Sequence, residues 1–153
     1  MLISSPFPKK MPTFVTITNI QNMDKMNYYI SKTIEGTFDQ VIEQVTDALQ
    51  NIGFGIVTTI DMQATFRQKL DVEFKPYTIL GACNPNFAHK ALQMEDKLGV
   101  ILPCNVLVID QGNGQIEVAA MHPAELMYAL NNPQLNQLAR EVSQKMEEMM
   151  RGL

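Results

Sequence analysis

Two runs rich in strand-forming residues, Ile101–Asp110 and Gln115–Met121, flank the tripeptide Gly112-Asn113-Gly114. Glycine and asparagine accept positive φ at little cost, so this punctuation commits the chain to an antiparallel hairpin and therefore to a sheet. Upstream the pattern alternates. Tyr28, Tyr29, Ile30, Thr33 and Ile34 suit a strand that Gly36 breaks. Thr37 and Gln40 have the spacing of a capping box, and Phe38, Val41, Ile42, Val45, Ala48 and Leu49 form one apolar helical stripe that Gly53 terminates. Phe54–Ile60 reads as a second strand, and Asp61 caps a short helix over Met62–Leu70. Glu73 to Cys83 is a third strand, after which Asn84-Pro85 opens a helix expected to run to Leu98, with Gly99 in the left-handed conformation behind it. Pro123 to Leu130 makes a short helix, Asn131-Asn132-Pro133 a turn, and Gln134–Arg151 a long final helix.

If the third strand, its helix and the next strand form a right-handed crossover, those two strands are parallel. The expected architecture is α+β, a two-layer sandwich in which a mixed β-sheet is covered by helices. A chain of 153 residues with 46% apolar and 18% charged residues supports one ordinary core, placed here in a single domain over residues 26–153. Residues 1–25 differ, being rich in Pro, Thr, Asn and Met. They read as an N-terminal extension with one possible strand at 13–20 that could add to a free sheet edge.

The formal charge of −4 supplies no basic field for phosphate backbones or anionic membranes, so nucleic acid and membrane are not expected partners. No apolar run reaches the roughly 20 residues of a membrane helix, and the prolines and trailing lysines of the first ten residues do not order themselves as a secretory signal. The expectation is a cytoplasmic protein whose two cysteines, Cys83 and Cys104, are free thiols.

The stretch Tyr77-Thr-Ile-Leu-Gly-Ala-Cys83-Asn-Pro-Asn86, then Ala88, Ala91-Leu92 and Leu98-Gly99-Val-Ile-Leu-Pro103-Cys104-Asn105-Val106, resembles the uncharacterised family catalogued as domain of unknown function 302. The strand and helix from about Asn27 and the ending Met121-His122-Pro123 extend the resemblance to nearly all the chain beyond residue 25. The family often carries an acidic residue where this chain has His122. The resemblance implies a compact α/β sandwich, often a homodimer, with no agreed activity.

Chemistry-bearing residues gather at the Cys83-Asn84-Pro85 corner. A strand that runs into a helix start offers backbone N–H groups and the positive end of a helix dipole. A small anion or small molecule could bind there, with Cys83, Asn84, Asn86 and His89 supplying specificity. A thiol-dependent enzyme or redox protein using Cys83 with His89 as base is the second reading. A third is a structural partner-binding protein acting through the last helix, where Leu135, Leu138, Val142, Met146, Met149 and Leu153 form a stripe that needs a surface to cover. Packing of that stripe on the chain's own sheet is the favoured expectation. Cys104 and Asn105 open the most apolar strand. Parallel strands would hold Cys83 and Cys104 on the order of 20 Å apart, at opposite sheet edges, so neither a shared metal nor a disulfide is expected, and only an antiparallel arrangement would bring the two together. No cofactor is implied. Self-association is the expected partnership.

Overall fold

A computed structural model describes residues 28–153. The extension over 1–25, with its strand at 13–20, lies outside the described residues. The elements follow in order: β1 (Tyr29–Glu35), α1 (Phe38–Asn51), β2 (Gly55–Asp61), α2 (Met62–Leu70), β3 (Tyr77–Cys83), α3 (Pro85–Met94), a 3-10 helix (Asp96–Ile101), β4 (Cys104–Asp110), β5 (Gln115–Met121), α4 (Pro123–Tyr128) and α5 (Pro133–Gly152).

Local chemistry sets most of these boundaries. The capping box at α1 is formed in full, the Gln40 N–H donating to Thr37 Oγ1 at 3.3 Å and the Thr37 N–H to Gln40 Oε1 at 3.4 Å. Asp61 caps α2 by accepting from the Ala64 N–H at 2.9 Å. Gly53 and all three residues of the hairpin tripeptide take positive φ. The helix after Asn84 ends sooner than its sequence suggests, at Met94. Glu95 turns extended and its carboxylate accepts from the Lys97 N–H at 3.0 Å, which starts a separate 3-10 helix with Gly99 inside it rather than in the left-handed conformation.

The five strands lie in the order β1-β5-β4-β3-β2. Every neighbouring pair is antiparallel, so the sheet is not mixed. The reason lies in the connection between β3 and β4. At 1.5 Å per residue the ten residues of α3 rise about 15 Å, and the 3-10 helix folds back along them. The chain therefore returns to the end of β3 it had just left, and β4 runs backwards beside it with Ala82 opposite Cys104.

One face of the sheet carries the core. Leu80, Val106, Val108, Ile116 and Val118 pack there against Val41, Val45 and Leu49 of α1 and Val142, Met146 and Met149 of α5. The Val142, Met146 and Met149 part of the α5 stripe is thus consumed by the chain's own sheet, as its periodicity favoured. A second cluster joins Ala91 of α3, Leu98, Met127 of α4, and Leu135, Leu138 and Ala139 of α5. Lys32 ties the far end of α5 to β1, its ammonium donating to the Leu153 carbonyl at 2.7 Å and the Met150 carbonyl at 3.4 Å. Among the described residues no helix is long and apolar enough to cross a membrane.

Candidate functional site

The strand-to-helix corner forms where expected, but its amides do not face outward. Asn84 Oδ1 accepts from the N–H groups of Asn86 at 3.0 Å and Phe87 at 3.3 Å, and the Ala88 N–H donates to the Asn84 carbonyl at 2.9 Å. Asparagine is a preferred N-cap because its side chain fills this role, and here it leaves those donors nothing to offer an anion. The three first-turn amides of α3 are therefore occupied within the corner itself.

The same corner brings two predicted residues together. Antiparallel pairing sets Cys104 opposite Ala82, so Cys83 and Cys104 are close rather than about 20 Å apart, and both border one cavity with Asn84. That cavity is about 50 Å³ and otherwise lined by Phe54, Phe87, Leu98, Met127 and Leu138 among other apolar side chains. It is dry in character and smaller than the roughly 150 Å³ void that admits benzene. Burial, helped by the neighbouring Cys83, pushes the Cys104 thiol up to about 11, which makes it a packing group rather than a nucleophile. His89 is exposed on α3 and does not line the cavity, and neither does exposed Asn86. The thiol-imidazole pair is not assembled, and no cluster of three or more His, Cys, Asp or Glu side chains among the described residues could hold a metal.

Asn105 belongs elsewhere. Alternation along β4 turns it, Leu107 and Ile109 to the sheet face away from α1 and α5. On this face a second cavity of about 410 Å³ is open to solvent, within the range of small-molecule sites. Its floor is Leu107, Ile109, Ala119 and Met121, and its rim holds Tyr28, Tyr29, Leu126, Asn105 and Glu117. The Tyr28 and Tyr29 rings meet edge to face at 5.0 Å. Glu117 accepts from Gln111 Nε2 at 2.6 Å, and Gln111 Oε1 in turn accepts from Lys75 Nζ at 3.2 Å. Beside them the Tyr77 hydroxyl is raised above its usual range by burial first, then by the Glu117 carboxylate and Tyr28.

Of the expected site residues, then, the structure unites Cys83, Asn84 and Cys104 at a small apolar void and moves Asn105 to the opposite face. Tyr28, Glu117 and Leu126 carried no motif that sequence reading could single out. One signal did exist: Val106-Leu107-Val108-Ile109 is apolar at every position, which in a strand means that both faces are built to be covered.

A family model described as "Domain of unknown function DUF302" matches residues 30–153. A solved structure, the crystal structure of uncharacterized conserved protein DUF302 from Bacillus stearothermophilus, superposes with a TM-score of 0.74 at 24% identity. The match covers 81% of this chain and 96% of that one, and at this identity it speaks to the fold. No curated protein matches.

Proposed function

This chain belongs to the DUF302 family, and we propose that within that fold it is a small homodimeric binding domain that self-associates through the sheet face its own helices leave uncovered. The observation that carries the reading is the apolar character of that face. An antiparallel sheet with one wet side ordinarily alternates apolar and polar residues, whereas here Ile79, Leu107, Ile109 and Ala119 alternate to the side away from α1 and α5, with Ile109 and Ala119 already buried at 8% and 5%, and are edged by exposed Tyr28, Tyr29 and Ile60.

Area supports a second copy as the cover. Five strands of seven residues, at about 4.8 Å between strands and about 3.4 Å per residue, give a face of roughly 570 Å². That outline, flanked by exposed Tyr28 and Phe74, is comparable in size to the footprint of interfaces that bury ~600 Å² per partner. A two-fold arrangement needs only one such patch, because each copy presents the same surface. The other readings have less support: the α5 stripe is already buried at home, and Cys83 lacks its imidazole.

Sedimentation velocity of the purified chain tests this, with Leu107→Lys as the disruptive variant and Val100→Lys, at an exposed position on the 3-10 helix, as the control. The expected result is a dimer for the parent and the control and a monomer for Leu107→Lys. A monomer for the parent at 100 μM, or a dimer that Leu107→Lys leaves intact, overturns the proposal.

A further inference from the structure

The cavity on the uncovered sheet face has a chemistry of its own. Its floor is apolar from Met121 at one end to Ile109 at the other, so water resting on it gains little hydrogen bonding. Among the described residues Glu117 is the one charged residue on its lining, and none of the described lysines, arginines or histidines lines it. The direct partner of that carboxylate is the neutral Gln111 amide, with exposed Lys75 reached only through it. At the other end stand Tyr28 and Tyr29, whose rings offer apolar and π surface. Tyr29 pairs with Met121, four residues along β5 from Glu117, a separation of about 14 Å at ~3.4 Å per residue.

We infer that this cavity binds an elongated apolar molecule carrying one ammonium group, with the cation against Glu117 and the hydrocarbon along Ile109, Ala119 and Met121 toward the tyrosine pair. Three observations select that chemistry. The volume of about 410 Å³ accommodates a chain of eight or so carbons and a headgroup. The single negative charge on the lining among the described residues favours a cation and disfavours a carboxylate or phosphate of the same shape. The direct partner of the Glu117 carboxylate is a neutral amide, so no contacting cation cancels its charge at the cavity wall.

The inference goes beyond self-association and shares its surface. Should a second copy cover this face, Glu117 would be taken from water into an apolar contact, where a carboxylate held only by the neutral Gln111 amide is costly, and a bound cation would relieve that cost. Ligand and dimer would then strengthen each other.

Isothermal titration calorimetry with octylammonium chloride, sodium octanoate and 1-octanol tests the inference, with sedimentation velocity run on the same samples. The expected result is octylammonium bound at least tenfold more tightly than octanoate, with octanol between them. Glu117→Gln, an isosteric change at a partly exposed position, should lose that tenfold preference while keeping octanol affinity, and Glu117→Lys should reverse it toward octanoate. Equal affinity for all three probes, a preference that survives Glu117→Gln, or no binding of any probe would overturn the inference. Sedimentation reports self-association independently, so a charge-selective monomer and an unselective dimer are separate outcomes.

Discussion

Gly81 shows how much one hydrogen can decide. A Cβ there would collide with Thr58 Oγ1 and come within 2.7 Å of Pro103 Cγ, because β2 and the lead into β4 close over it from both sides. Gly81→Ala is expected to destabilise the fold by about 2 kcal/mol or more, read as a lowered urea midpoint. Cys104 makes a prediction in pH. Its thiol loses a proton near 9.0 when unfolded and at about 11 when folded. The native state therefore holds the proton across that window, stability is whole below pH 9, and it falls as pH rises through about 11 by up to ~3 kcal/mol. Urea unfolding at pH 8 and pH 10.5 should show this fall in the parent, and Cys104→Val should remove the part of it due to the thiol. Iodoacetamide at pH 8 should label half-buried Cys83 well before buried Cys104, a difference that mass spectrometry resolves and that unfolding erases. These thiols were visible in the sequence as residues, but their proximity was not, since it depends on the direction in which β4 runs.

At the scale of the element, α1 and α5 do the covering. Both were legible from periodicity, because a stripe recurring every three or four residues has one stable use. Met146 is fully buried between α5 and the sheet, and Met146→Ala should cost about 2–5 kcal/mol in chemical denaturation. Thr37→Ala removes one arm of the capping box and should cost about 1 kcal/mol. The α3 segment was less legible. Its apolar spacing continues past Met94, yet Glu95 prefers to cap Lys97, and a local carboxylate-to-amide bond overrides the helical pattern. His122 is another local decision. Its Nε2 lies 3.0 Å from Glu147 Oε1 on α5. His122→Asp would set two carboxylates against each other and is expected to lower the thermal midpoint by a few degrees, with Glu147→Gln restoring part of it.

For the whole molecule the consequence is asymmetry: one sheet face lies under two helices, while the other carries a solvent-open cavity with a mainly apolar lining. Self-association through the open face predicts a melting temperature that rises with protein concentration for the parent and stays flat for Leu107→Lys. By itself the sequence determined the α+β class, the helix starts at Thr37, Asp61 and Asn84, the hairpin at Gly112-Asn113-Gly114, and the inward stripe of α5, because each rests on contacts between residues near one another in the chain. Only the tertiary structure decided that β4 runs antiparallel to β3, that Cys83 meets Cys104, and that Glu117 and the tyrosines share a cavity across the sheet. Strand direction depends on where a connection delivers the chain. A folded-back α3 and 3-10 helix deliver it to the near end of β3, a choice that no local preference of β3 or β4 encodes.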